Sequence, residues 1–238
     1  MPVKRLWAIV PVKPFAAAKR RLAPVLDAAE RASLARLMFE DVLDALMPCR
    51  DILTGVLVVT SEGDAMDVAR HRGAAVVMDG VDNGINEAII AAIDHLRPKA
   101  GDAVLVVPSD IPQITHNAFA QAAAAVAAPR SLAIAAAARD GGTNLFASRP
   151  AGVVASQFGP HSFERHRQAA ARAGIAVQTL CLPELSLDID CPNDLPAFLA
   201  LNSPTRAHAF LSAIPLHERL IGLARPSSFD RVLVKGGL

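Results

Sequence analysis

Short apolar runs recur along the first two-thirds of this chain, and most are followed by a stretch with helical spacing. Residues 6–10, 56–60, 74–78, 103–107 and 131–137 are short and largely apolar, as strands buried on both faces must be. Between them, residues 27–46 place Leu34, Leu37, Met38, Val42 and Leu46 on one side of a helix. Residues 64–72 predict a second helix, ended by Gly73, and residues 83–96 a third, carrying Ile85, Ile89 and Ile93. Apolar strands alternating with amphipathic helices predict parallel strands covered by helices on both faces. Ligands of such folds bind beyond the carboxyl ends of the strands. The polar residues that follow the strands are therefore the candidates: Lys13, Ser61 with Glu62, Asp79, Asp110, and Arg139 with Asp140.

Bulk properties narrow the function classes. A chain of 238 residues suits one α/β domain with an appendage. The expected division is a main domain over 1–202 and a tail or small appended element over 203–238, where three prolines and scattered charges change the character. A net charge of +1 supplies no field to attract nucleic acid or an anionic membrane. No apolar run approaches the ~20 residues of a membrane span. Residues 1–12 read as a strand, not a signal peptide, so a cytoplasmic location is expected. Cys49, Cys181 and Cys191 have no paired spacing, so neither a disulfide framework nor a zinc site is expected. The alanine-rich stretches 122–128 and 135–138 read as ordinary helix and strand filler.

Six segments carry chemistry. Lys13, Lys19, Arg20 and Arg21 follow the first strand within nine residues, a charge density suited to a triphosphate or, alternatively, a solvated basic loop. There is no GxxxxGK[ST], so this is not a P-loop. Asp110 ends the fourth strand between Pro108 and Pro112, in a stiff turn suited to a Mg²⁺ ligand or to a helix cap. Asp188 and Asp190 alternate with apolar residues; on a strand they would share a face, and two like charges so held call for a cation between them. With Asp110 they could form a divalent-metal site, while Asp194 caps or begins the next helix. Arg139-Asp140-Gly141-Gly142-Thr143-Asn144 permits close backbone approach beside two polar side chains, although a plain hairpin turn would look similar. Phe158-Gly159-Pro160-His161-Ser162-Phe163 leads into a helix that Ser162 is placed to cap, and helix N-termini attract anions. Gly84 and Asn86 at a helix start could face a base, or form a plain helix-entry loop.

Taken in order, AIVPVKPFAAAKRRLAP, VPSDIP, RDGGTN, FGPHSF and LDIDCPNDL resemble the guanylyltransferases of coenzyme F420 biosynthesis, which act on 2-phospho-L-lactate, phosphoenolpyruvate or 3-phosphoglycerate. The resemblance spans roughly residues 6–200, with Ser109 where alanine is expected and His161 where glycine is commoner. It implies a Rossmann-like, GT-A-related nucleotidyltransferase: a three-layer α/β/α fold with a mostly parallel mixed sheet. It further implies Mg²⁺, GTP and a phosphorylated acid as the small-molecule partners, without nucleic acid or membrane; a homodimer is left open. By the resemblance, Thr143, Gly159 and Ser162 hold the acid, and Asp110, Asp188 and Asp190 are the metal positions. Lys13, Lys19 and Arg20 surround the triphosphate, and Asn86 contacts base or ribose. The rival readings are a nucleotidyltransferase of another acceptor class, such as a sugar phosphate or molybdopterin, and a non-catalytic nucleotide-binding protein.

Overall fold

The computed structural model describes Val3 and residues 5–78 and 84–224. Seven strands, β1 (Leu6–Pro11), β2 (Gly55–Thr60), β3 (Ala75–Met78), β4 (Ala103–Val106), β5 (Ser131–Ala136), β6 (Thr143–Arg149) and β7 (Ala176–Thr179), form one sheet in the order β3-β2-β1-β4-β6-β5-β7. The pairs β1·β2, β1·β4, β2·β3 and β5·β7 are parallel, whereas β6 runs antiparallel to both β4 and β5. The sheet is therefore mixed, with β6 the one reversed strand among the described residues.

The two-residue period of β1 explains the layers. Leu6, Ala8 and Val10 enter one core, with Phe39 and Leu43 of α1 (Ala28–Leu46), Val68 of α2 (Gly63–His71) and Phe119 of α4 (His116–Ala125). Ile9 points the other way, into a second core with Ile89 of α3 (Ile85–Leu96) and Ala170 of α5 (Ser162–Arg172). Helices on both faces make the expected three layers. The longest helix, α1, starts at a capping box: the Asp27 carboxylate accepts from Glu30 N and the Glu30 carboxylate accepts from Asp27 N, each at 2.8 Å.

A third apolar cluster lies beside α1. It joins Leu22 and Leu26, which follow the basic loop, to Ile189, to Phe198 of α6 (Asp194–Leu199), to Leu211 of α7 (Arg206–Ser212) and to Leu216 of α8 (Leu216–Ala224). Asp41 on α1 accepts from the backbone N of both Arg206 and Ala207 at 2.9 Å, satisfying two orphan donors of α7. On α8, Arg219 reaches Glu30 at 2.6 and 3.0 Å and the Val25 carbonyl at 2.8 Å. The described part of segment 203–238 is thus docked against α1. Among the described residues no helix is long and apolar enough to cross a membrane.

Three expectations differ in detail. Strands β6 and β7 were not read from sequence: β6 is wholly buried yet rich in polar residues, and β7 is an exposed four-residue edge. Residues 187–190 are irregular and pair with no strand of the sheet, so Asp188 and Asp190 are not brought together by a pleat. The helix expected over 83–96 begins at Ile85; Asp79 and Asn83 lie outside the described residues.

Candidate active site

From β1 the chain winds to β2 and β3 on one side of the sheet, then returns to β4 on the other side of β1. Loops leaving the carboxyl ends of β1 and β4 therefore diverge and open a crevice. A cleft of about 380 Å³ lies there, and Lys13, Lys19, Arg20, Ser61, Asp110 and Asp190 contribute to its walls.

The basic loop is held at both ends by buried side chains, Phe15 and Leu22, and Glu62 accepts from Phe15 N at 3.2 Å. Between these anchors Lys19 adopts a left-handed backbone, φ 54°, costly for a residue with a Cβ. Its ammonium, on a side chain only 7% exposed, donates to Asp110 Oδ2 at 2.8 Å and Asp190 Oδ1 at 2.7 Å. Burial alone would lower the lysine pKa, but the two carboxylates outweigh it and push the group up to about 12.

On the far side Arg139, just past β5, gathers the remaining acids. Its guanidinium lies 3.3 Å from Asp188, 3.5 Å from Asp190 and 3.4 Å from Asp194. Ile189, fully buried in the third cluster, anchors the segment between the two aspartates. The Asp194 carboxylate accepts from Asp190 N at 2.8 Å and Cys191 N at 2.7 Å, which closes the turn and fixes where Asp190 points. Burial, then the charges of Asp110 and Asp190, raise the Asp188 pKa. Burial acts the same way on Asp190, but Lys19, and then Arg139, hold that carboxyl below its ordinary value. The difference follows from geometry: Asp190 shares the ammonium, and Asp188 has only the arginine.

Hard carboxylate oxygens, with Asp110 and Asp190 28% and 32% exposed, have the donor chemistry of a Mg²⁺ site. Among the described residues no three such side chains are already drawn into one ligand set. The Lys19 ammonium stands between Asp110 and Asp190, where it supplies the positive charge that two facing carboxylates require.

A second cluster adjoins the first through the β5–β6 turn. Gly141 has φ +66°, and Gly142 N donates to Asp140 Oδ1 at 2.8 Å. Thr143 Oγ1 then lies 3.0 Å from Ser162 Oγ and 3.1 Å from His166 Nδ1. Ser162 N donates to the Gly159 carbonyl, and Phe163 N to the Gly141 carbonyl, each at 3.1 Å, so the two glycine turns are docked together. Asn86 grips the same loop: Phe158 N donates to its Oδ1 at 2.8 Å, and its Nδ2 donates to the Phe158 carbonyl at 3.1 Å.

The sequence profile of the guanylyl transferase CofC-like family matches residues 6–221. The chain belongs to that family. The phosphoenolpyruvate guanylyltransferase of Sphaerobacter thermophilus is 35% identical over 201 residues, covering 84% of this chain and 95% of the relative. The 2-phospho-L-lactate guanylyltransferase of Methanothermobacter thermautotrophicus is 32% identical over 208 residues, covering 86% and 88%. Among solved structures, a Desulfovibrio desulfuricans protein assigned as a nucleotide-diphospho-sugar transferase superposes with a TM-score of 0.70 over 92% of this chain and 97% of that one, at 21% identity. That likeness carries the fold: the nucleotidyltransferase fold expected from the sequence is the fold observed. As a guanylyl transferase CofC-like protein, the chain is a nucleotidyltransferase.

For this CofC-like chain the match continues through α7 and into α8, beyond the roughly 200 residues over which the motifs resemble the family. Lys19, Asp110, Asp188 and Asp190 meet in one charged cluster; Thr143, Gly159 and Ser162 meet in the other; Lys13 and Arg20 are exposed on the cleft wall. Ser162 is not the cap of α5. His161 holds that position in a left-handed conformation, and the Ser162 hydroxyl turns to Thr143 instead. Asp194 begins α6, with its carboxylate turned back on the preceding loop rather than capping the helix. Sequence reasoning missed His166 and the clamping role of Arg139. His166 stands four residues after Ser162, one helical turn along the same face, which is the signal that could have found it.

Proposed function

We propose that the chain transfers GMP from GTP to a small phosphorylated acid, phosphoenolpyruvate, 2-phospho-L-lactate or 3-phosphoglycerate, with release of pyrophosphate, as a step of coenzyme F420 biosynthesis. The observation that carries this reading is the pairing of Asp110 and Asp190 through Lys19 at the mouth of a cleft walled by Lys13 and Arg20. In the reaction a phosphate oxygen of the acid forms a bond to the α-phosphorus of GTP. The bond from that phosphorus to the bridging oxygen of the β-phosphate breaks, and its electron pair leaves with pyrophosphate. The nucleophile is already an anion, so no side chain has to act as a strong base, and catalysis is positioning and charge neutralisation.

Each residue has a part in that work. Lys13, Lys19 and Arg20 offset the triphosphate charge, with Lys19 turning from the carboxylates to the phosphates as nucleotide enters. Asp110, Asp188 and Asp190 would hold Mg²⁺, which when bound neutralises charge between nucleotide and acceptor. Arg139 keeps the Asp188–Asp190 segment folded before the cation arrives. Thr143, Ser162 and the Gly159 turn receive the acid. Asn86 holds the Phe158 peptide and retains one amide hydrogen for base or ribose. Competition among the three acids, with GTP and Mg²⁺ and products read by mass spectrometry, tests the proposal. The expected result is one dominant guanylylated acid with stoichiometric pyrophosphate. Release of pyrophosphate only with a sugar phosphate, or with no acceptor at all, refutes it.

A further inference from the structure

One buried ring ties the acceptor-side segments together. His166 is fully buried on α5, packed edge-on to Phe158 with ring centroids 5.4 Å apart and beside Phe146 at 4.9 Å. Its Nε2 receives the backbone N–H of Gln157 at 2.7 Å. A backbone N–H only donates, so Nε2 bears a lone pair. The proton of a neutral ring therefore sits on Nδ1, 3.1 Å from Thr143 Oγ1, and is donated to that hydroxyl. Burial, and then the Arg165 charge, pull the imidazole pKa down to about 4, which keeps the ring neutral near pH 7.

The tautomer decides what Thr143 and Ser162 can offer a ligand. With the proton on Nδ1, Thr143 accepts from the ring, and one hydroxyl hydrogen makes the 3.0 Å bond between Thr143 and Ser162. The other hydroxyl hydrogen then has no hydrogen-bond acceptor among the described residues. With the proton on Nε2, Thr143 would donate to Nδ1 and Ser162 to Thr143, and both hydroxyl hydrogens would be consumed. The pair would then present only lone pairs, which repel an anion. We propose that His166 is a positioning residue whose hydrogen bonds to Gln157 and Thr143 set the Thr143–Ser162 pair as a donor for an anionic group, the carboxylate or phosphate of the acceptor acid. This rests on the reading that the acid binds at Thr143, Gly159 and Ser162. The same ring holds Gln157, two residues before Gly159, so one side chain orients both walls of that site.

Two measurements test it. Nitrogen-15 NMR of the histidine rings in the intact protein between pH 6 and 8 distinguishes a bare from a protonated ring nitrogen; the expected state of His166 is neutral with Nδ1–H. A ring protonated on Nε2, or on both nitrogens, overturns the proposal and leaves the guanylyltransferase reading standing. For His166→Phe, which keeps bulk but no donor, the acceptor KM should rise roughly tenfold or more, the scale of a lost hydrogen bond to a charged group, with the GTP KM within twofold. His166→Asn, whose amide can still donate to Thr143, should recover most of the loss. An unchanged acceptor KM in His166→Phe, or equal losses in both variants, overturns it. Wild-type protein that turns over none of the three acids instead sinks the functional reading, and the NMR result still decides the tautomer.

Discussion

Replacing Asp188 by asparagine separates what the acid cluster does for catalysis from what it does for the fold. The Asp188 side chain is 12% exposed, and burial together with the charges of Asp110 and Asp190 raises its pKa above the ordinary 3.8. For an acid, a raised folded-state pKa means that ionisation opposes folding. The stability of the protonated form is present at low pH and lost as pH rises through the folded-state value. Wild-type protein at neutral pH carries that cost, and asparagine does not. Its amide oxygen can still accept from Arg139, which also keeps Asp190 and Asp194 as partners. Metal-free Asp188→Asn should therefore be more stable than wild type by on the order of 1 kcal/mol, within the range seen when functional-site strain is removed. For a chain of this size that is a rise of about 2–4 °C in Tm. The advantage should shrink as pH falls towards 3.8, where the wild-type carboxyl also becomes neutral. Turnover should fall by roughly 10²-fold or more, the scale of losing a key electrostatic stabiliser. Thermal unfolding in chelator, with pyrophosphate release at saturating GTP and acceptor, reads both. Turnover within threefold of wild type with unchanged metal dependence refutes the catalytic assignment. A Tm lower by several degrees shows that pairing with Arg139 outweighs the repulsion.

Lys19→Met leaves Asp110 and Asp190 without their shared ammonium; because both are about a third exposed, water screens part of the loss and destabilisation should be about 1–3 kcal/mol in chelator. Added Mg²⁺ should restore part of it, and no recovery in a melting curve would contradict a cation site there. Asp41→Ala removes the acceptor of two α7 backbone donors and should lower the urea midpoint by the equivalent of roughly 2 kcal/mol, with kinetic constants at 25 °C nearly unchanged. The depressed His166 pKa has the sign opposite to that of Asp188: its contribution is full above the unfolded value of 6.5 and is lost as pH falls from there towards about 4. That loss should amount to roughly 3 kcal/mol over the window, checked by urea denaturation at stepped pH, and a His166→Phe variant should lack it.

The physical reason for what was legible in the sequence is locality. The strands β1, β2 and β4 are apolar on both faces, and α1 shows its buried side in the spacing of Leu34, Met38, Val42 and Leu46 alone. Asp110 stood out because prolines frame it at a strand end, and Asp188 with Asp190 because charges alternate with apolar residues, although the segment is not a strand. What could not be read is set by distant partners. Strand β6 reads as polar, and the groups that satisfy its buried Thr143 and Asn144 are distant: Ser162, His166 and the Leu185 carbonyl lie 19, 23 and 41 residues away. Nothing near Asn86 announces that its amide holds a peptide 72 residues on, and nothing near Asp41 that it serves a helix 165 residues later. Ser162 shows the converse failure. Its local context suited a cap, but a hydroxyl across the turn offered a partner and left the capping position to His161.

If the Lys19 ammonium holds the place of a divalent cation between Asp110 and Asp190, that cation displaces it when nucleotide arrives. A crystal structure of the protein with a non-hydrolysable GTP analogue and Mg²⁺ decides this. The expected result is a cation about 2.1 Å from carboxylate oxygens of the Asp110, Asp188 and Asp190 set, with Lys19 Nζ moved onto a phosphate oxygen. Nucleotide bound with Lys19 still bridging Asp110 and Asp190, and the cation held elsewhere, would contradict it.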